Sequence, residues 1–167
     1  MRFSLFSALV FLSSTVSAQT EQTLKQSIES FAPTAQHDAA GCPDLSGKYK
    51  YDPKGELVSV IKFKKTASGA EYSETQFEKG QQVETFTEVA DGVRREFDGE
   101  SEKEKVKLEA TRLCTPGTFW SLFYEDGELM QVTAQSPAVN GISTKTYMRN
   151  EDESKTTDLL EEILARF

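Results

Sequence analysis

Turn-forming residues recur about every ten to fifteen positions between Gly47 and Arg149, and short runs that alternate apolar and polar side chains lie between them. Alternation with a period of two is typical of half-buried strands, and none of these runs shows a helical period. A chain divided in this way folds as consecutive antiparallel strands joined by tight turns. The turn signals are Asp52-Pro53-Lys54-Gly55, Ala67-Ser68-Gly69, Lys79-Gly80, Asp91-Gly92, Asp98-Gly99, Thr115-Pro116-Gly117, Glu125-Asp126-Gly127 and Asn140-Gly141.

This pattern predicts an all-β domain with an antiparallel up-and-down meander of about eight to nine strands. Residues 56–64 show it clearly, with Leu57, Ile61 and Phe63 on one face of the strand. The pair Asp91-Gly92 predicts a type I′ hairpin turn. A meander has two free edges, and closure as a barrel pairs them with each other. We therefore expect a small closed barrel rather than a sandwich of two sheets.

Residues 119–124 are apolar or aromatic on both faces, which predicts a strand that is covered on both sides. The predicted outer cover is a short amphipathic helix from Thr157 onward, capped by Thr156 or Thr157. Residues 150–155 are charged and are predicted to be a flexible connection. The apolar stripe of the helix consists of Leu159, Leu160, Ile163, Leu164 and Phe167.

The N-terminal residues have the features of a secretory signal peptide. Arg2 precedes an apolar stretch at residues 3–12, and Val16-Ser17-Ala18 offers a small-residue cleavage site. The alternative is a buried N-terminal helix. We expect a signal peptide at 1–18, a polar and partly helical leader at 19–41, a barrel domain at 42–150, and a linker with the C-terminal helix at 151–167. The protein is therefore predicted to be exported, either periplasmic or secreted.

The charge of the chain argues against several classes of partner. It has 19 Lys and Arg against 27 Asp and Glu, a formal net charge of −8. An acidic protein repels phosphate backbones and gains nothing from an anionic membrane surface, so nucleic acid is not an expected partner. No later stretch approaches the roughly 20 apolar residues that a spanning helix needs. The balance favours a monomer without a transmembrane segment.

Cysteine usage agrees with export. Cys42 and Cys114 are the two cysteines of the chain. Exported proteins meet oxidising conditions, so a structural disulfide between them is expected. The alternative is a pair of reactive or metal-binding thiols. It has less support, because no C-x-x-C spacing occurs and His37 is the single histidine.

Residues 42–49 read Cys-Pro-Asp-Leu-Ser-Gly-Lys-Tyr. This segment resembles the start of the first strand of a lipocalin-like (calycin-type) barrel, where a Gly-x-Trp element closes the barrel bottom. Here Gly47-Lys48-Tyr49 has Tyr in place of Trp. The segment is also similar to the opening of small exported bacterial β proteins that begin with the pattern C-P-D-L-S-G-x-Y and carry a second Cys far downstream. The resemblance implies a barrel with an apolar interior, and it identifies no ligand.

Enzyme chemistry has little support in the sequence. Nucleophilic catalysis by Ser or Cys usually needs a base, and His37 lies in the leader beside Asp38, where we expect an exposed residue. With 27 acidic residues, candidate carboxylate pairs are inevitable and carry no information. No P-loop, Rossmann glycine pattern or metal-ligand cluster occurs. We expect a non-enzymatic protein without a cofactor or a metal.

Two function classes remain. The first is a binding protein that carries a small apolar ligand inside the barrel, lined by Tyr49, Phe63, Phe97 and Leu108. The second is an interaction or inhibitor module that acts through its surface, with the same side chains filling a packed core. Residues 94–107 alternate in charge and offer either a docking surface for a protein partner or, more simply, a solvated strand pair.

Overall fold

The computed structural model describes residues 28–50, 56–97, 106–149 and 157–166, and these form ten strands and one short 3-10 helix at Ile28–Phe31. The predicted all-β antiparallel meander is confirmed, with ten strands in place of about nine. The strands are β1 Gly47–Lys50, β2 Leu57–Thr66, β3 Gly69–Glu78, β4 Gln81–Ala90, β5 Arg94–Phe97, β6 Leu108–Thr115, β7 Thr118–Glu125, β8 Glu128–Ala138, β9 Gly141–Arg149 and β10 Thr157–Arg166.

Some of the sequence predictions lie outside the described residues and stay predictions. They are the signal peptide at 1–18, the first part of the leader at 19–27, the turns at 52–55 and 98–99, and the connection at 150–155. Six of the predicted turns lie within the described residues, and two of them have positive φ angles at both central residues. Lys79 and Gly80 join β3 to β4, and Asp126 and Gly127 join β7 to β8, all with positive φ angles of 48–86°. Both turns therefore have the left-handed backbone that a type I′ turn needs.

All ten strands belong to one sheet, in the order β4-β3-β2-β1-β10-β9-β8-β7-β6-β5. Each neighbouring pair is antiparallel. The first and last strands of the chain meet in the middle of this order, where Tyr49 lies opposite Arg166. The C-terminal strand thus joins the half of the sheet made by β1–β4 to the half made by β5–β9.

The C-terminal segment is a strand, so the predicted amphipathic helix is wrong. β10 pairs with β9 from Thr157 opposite Arg149 to Ala165 opposite Gly141. A strand at this place supplies backbone partners to both β9 and β1, which would otherwise each present an unpaired edge. The apolar residues of this short segment fit the period of a helix as well as that of a strand. The otherwise unpaired edges of β9 and β1 favour the strand.

The sheet is open between β4 and β5, so the predicted closed barrel is also wrong. These strands stand at opposite ends of the sheet order, and no ladder joins them within the described residues. Asp91-Gly92 forms a bend rather than a hairpin turn. Arg95 donates to both carboxylate oxygens of Asp91 at 2.8 and 2.6 Å, and the Gly92 N–H donates to the Arg112 carbonyl at 2.9 Å. These bonds direct the chain from β4 across to β6.

The open sheet is strongly rolled, and its concave face carries the main core. The rings of Tyr72 on β3 and Phe119 on β7 lie 4.8 Å apart, although β2, β1, β10, β9 and β8 separate the two strands in the sheet. Such a contact requires the sheet to curl round until its ends face each other. The buried side chains of this core are Leu45, Tyr49, Ile61, Ala70, Tyr72, Ala90, Cys114, Phe119, Ile142 and Leu164.

A second core cluster lies on the convex face, and the N-terminal 3-10 helix covers it. Ile28 is 2% exposed, and Phe31 stacks on Tyr147 with ring centroids 4.0 Å apart. Residues 119–124 are therefore covered on both sides, as predicted, but the outer cover comes from the leader and not from the C-terminal segment. The buried strand residues beneath the helix are Leu122, Leu129 and Val132.

The predicted disulfide joins Cys42 to Cys114 and ties the segment before β1 to the end of β6. His37 strengthens the same junction. The Cys114 N–H donates to Nδ1 of His37 at 3.0 Å, and Nε2 of His37 donates to the Ser68 carbonyl at 2.7 Å. Gly92 has a φ of 75°, and a Cβ there would lie 2.9 Å from the Cβ of His37. His37 thus connects three parts of the fold, where the sequence predicted an exposed residue.

Candidate functional site

One end of the concave face, here called the floor (Tyr49, Tyr72 and Phe119), is filled by aromatic side chains. The hydroxyl of Tyr49 donates to the Leu45 carbonyl at 2.9 Å, and that of Tyr72 donates to the Pro43 carbonyl at 2.8 Å. Burial raises the pKa of both phenols, so both remain neutral donors. The two bonds fix the segment before β1 across this end of the sheet.

Polar side chains follow the floor on the same face. Each of them lies two residues along its strand from a buried core residue, and the period of two therefore keeps it on the concave side. Arg112 lies two residues before Cys114 on β6, and Ser121 lies two residues after Phe119 on β7. We call this set the polar row, and its members are Ser59, Glu74, Glu88, Arg112, Ser121 and Thr144.

Hydrogen bonds connect the polar row on two sides of the concave face. On β2 and β3, the fully buried Ser59 hydroxyl donates to the Glu74 carboxylate. The side-chain amide of Gln76 donates to the same carboxylate oxygen at 3.0 Å. On the other side, Nε of Arg112 donates to Glu88 of β4. This ion pair lies where the ends of the sheet approach each other.

Three members of the polar row carry groups that have no hydrogen-bond partner among the described residues. These groups are the buried Oγ1 of Thr144, the hydroxyl of Ser121 and the two terminal guanidinium nitrogens of Arg112. A buried polar group without a partner costs about 1–3 kcal/mol. The Arg112 side chain keeps 30% of its exposure, so solvent reaches the row. The terminal nitrogens of Arg112 are therefore available to a molecule bound on the concave face.

Apolar side chains return at the other end of the face, here called the rim (Phe97, Leu108, Phe123 and Met148). Phe97 lies directly opposite Leu108 in the β5–β6 ladder, and its ring lies 5.7 Å from that of Phe123. Phe97 and Met148 are 41% and 39% exposed. Large apolar side chains are thus accessible next to the polar row.

The four residues predicted to line a ligand all lie on the concave face, but in two separate places. Tyr49 belongs to the floor, and Phe63 packs there with its ring 5.5 Å from that of Tyr72. Phe97 and Leu108 belong to the rim. The polar row lies between the two pairs. Their role in ligand binding stays a prediction, and the floor pair is the more deeply packed.

Sequence reasoning missed the polar row, although the sequence carried a signal for it. Arg112 has the same parity in its strand as Leu108, Ala110 and Cys114, the apolar face of β6. Ser59 likewise interrupts the face that starts at Leu57. A charged or polar residue in phase with an apolar face indicates either a partner across the core or a site.

The charged run at 94–107 is largely paired where it is described. Arg94 donates to Glu109 at 2.7 Å and lies 3.7 Å from the centroid of the Tyr124 ring. A hydrogen bond with Lys107 lowers the pKa of the Glu109 carboxyl, and the same contact raises the pKa of Lys107. Local neutralisation of this kind is typical of a solvated strand pair.

Within the described ranges, no three His, Cys, Asp or Glu side chains are grouped as metal ligands would be. The described residues also contain no helix that is long and apolar enough to cross a membrane. Comparisons of the chain with protein-family models, with curated proteins and with solved structures found no match.

Proposed function

We propose that this chain is an exported, non-enzymatic binding protein that holds a small ligand on the concave face of a lipocalin-like rolled sheet. The observation that carries the proposal is the polar row, where the partly exposed Arg112 has two terminal nitrogens without described partners, between a filled floor and an apolar rim. A concave surface with few convergent polar groups and apolar neighbours is the usual form of a small-molecule site.

The ligand is amphipathic rather than purely apolar. Phe97, Leu108 and Phe123 offer apolar contact at the rim, in keeping with the apolar ligand that the sequence favoured. Arg112 and Ser121, further along the same face, require hydrogen bonds from whatever displaces their water. A hydrocarbon alone would leave these groups buried and unpaired.

The other features of the chain agree with this role. The Cys42–Cys114 disulfide suits an oxidising compartment, as the signal-peptide pattern of residues 1–18 does. The disulfide and the bonds of Tyr49 and Tyr72 fix the floor, so the concave face is preorganised for binding.

Two measurements test the proposal. Native mass spectrometry of the secreted protein should find a co-purifying small molecule. Calorimetric titration with the neutral probe 2-naphthamide and the anionic probe 2-naphthoate should show saturable binding of at least one. Leu108→Trp should abolish it by filling the rim, while the control Val139→Trp, at a fully exposed position, should not. No co-purifying molecule and no saturable binding of either probe would overturn the proposal.

A second candidate is a module that acts through its surface, and the free edge of β4 favours it. Residues 81–85 are exposed, Val83 at 55%, and no strand pairs with this edge within the described residues. An unpaired edge is a template for an added strand. On this alternative, crosslinking of native extracts should place partner crosslinks at Lys79, beside β4, and neither naphthalene probe should bind.

A further inference from the structure

Arg112 is an unusual residue to find on the concave face. Its strand neighbours on that face are Ala110 and the disulfide-bonded Cys114, both buried. Bringing a guanidinium to such a place costs free energy unless its donors are paired. Glu88 of β4 accepts one bond, from Nε.

The pairing with Glu88 leaves most of the guanidinium available. An arginine has five N–H donors, and the four on its two terminal nitrogens have no acceptor among the described residues. A bond at Nε also holds the planar group in one orientation. The two terminal nitrogens then form a fixed fork, which matches a carboxylate that binds through both oxygens.

A neighbouring hydroxyl group extends this fork into a site. Ser121 lies directly opposite Arg112 in the β6–β7 ladder, and its hydroxyl has no partner among the described residues. A hydroxyl can donate to an anion, so Ser121 adds a hydrogen bond to the charge of the guanidinium.

The apolar part of a ligand has a place next to the fork. Phe123 lies two residues beyond Ser121 on the same strand, and Leu108 lies four residues from Arg112 on β6. The ring of Phe97 lies 5.7 Å from that of Phe123 at the same end. A molecule with a flat apolar body and one anionic end therefore fits the order of groups along this face.

We propose that the concave site takes a small apolar carboxylate, whose carboxylate group binds the terminal nitrogens of Arg112 and the hydroxyl of Ser121 while its body packs on the rim. The inference rests on the proposed function, because it names the ligand class of that same site. A cationic group is disfavoured next to Arg112, since Glu88 already shares its charge with Arg112 and the unpaired groups at Arg112 are donors.

The test compares 2-naphthoate with 2-naphthamide, which have the same body and differ in the charge of one group. Wild type should bind the carboxylate at least about tenfold more tightly, as a charge-assisted fork requires. Arg112→Gln should reduce the ratio of carboxylate affinity to amide affinity to below about twofold and leave amide binding unchanged. Arg112→Lys, which keeps the charge without the fork, should give an intermediate ratio.

Arg149→Gln is the matched control. Arg149 is also an ion-paired arginine, with a side chain 26% exposed, but its parity in β9 places it on the convex side. The ratio of carboxylate affinity to amide affinity in Arg149→Gln should equal that of wild type. Equal binding of both probes to wild type, or an unchanged ratio in Arg112→Gln, would overturn the inference while leaving the proposed function intact. Binding of neither probe, together with no co-purifying molecule, would instead defeat the proposed function. Unchanged amide binding shows that a variant has kept its fold.

Discussion

The N-terminal 3-10 helix should contribute measurably to stability, although it has only one turn. Ile28 is 2% exposed against the convex cluster, and replacing such a residue by Ala removes its buried methyl and methylene groups. Core truncations of Ile cost about 2–5 kcal/mol. The helix is one turn long and is held by Ile28, by the stacking of Phe31 on Tyr147 and by the ion pair of Glu29 with Arg149, so it can detach before the sheet unfolds. Because the helix can detach, the measurable loss in the free energy of unfolding has an upper limit. We expect a loss of about 2 kcal/mol for Ile28→Ala.

Urea unfolding followed by tryptophan fluorescence measures this loss, because Trp120 packs against the same cluster. A dye that binds exposed apolar surface should bind the variant more strongly in native buffer. The matched control is Val139→Ala, an aliphatic truncation at a fully exposed position, which should change the free energy of unfolding by less than about 0.5 kcal/mol. If Ile28→Ala unfolds like this control and binds no more dye, the helix does not stabilise the convex face and the reasoning is refuted.

Two further predictions concern the disulfide and the ion pair of Asp91 with Arg95. Replacing Cys42 and Cys114 together by Ala opens a loop of 72 residues and should lower the free energy of unfolding by about 4 kcal/mol in chemical denaturation, whereas two titratable thiols in the unreduced wild type would contradict the disulfide. Hydrogen bonds from Arg95 lower the pKa of Asp91 from 3.8 to about 2, so this carboxylate stabilises the fold above pH 4 and the contribution is lost as pH falls from 4 to 2. Asp91→Asn should therefore lower the free energy of unfolding by about 1 kcal/mol at pH 7, a value reduced because Arg95 is half exposed, and by much less at pH 2, where about half of the Asp91 carboxyl groups in the folded protein are protonated. A cost that does not depend on pH would contradict the role of the charge.

Much of the strand structure was predictable, because it depends on neighbours in the chain. The turns at Lys79-Gly80 and Asp126-Gly127 need left-handed residues, and the sequence supplies them. The same local reasoning failed at Asp91-Gly92. There Arg95 and the Arg112 carbonyl, partners from outside the turn, hold a bend instead.

The candidate site was predictable only in part. The sequence placed Phe97 and Leu108 on an apolar face, and they do lie together at the rim. Arg112 and Leu108 are an even number of residues apart, so both are expected on the same face of β6. This spacing alone does not show whether the arginine points into the concave face or whether the alternation simply breaks at that position. Whether its donors are paired depends on which strand faces it, and that follows from the roll of the sheet.

The sequence by itself determined the all-β class, nearly every strand and the two cysteines that form the disulfide. These features follow from a period of two, from turn residues and from covalent chemistry, all of which act over a few residues. The tertiary structure decided that residues 157–166 form a strand, that the sheet stays open between β4 and β5, and that the leader covers the convex face. Each of these depends on an edge or an apolar surface made by residues far away in the chain, and the short segments concerned have no strong preference of their own.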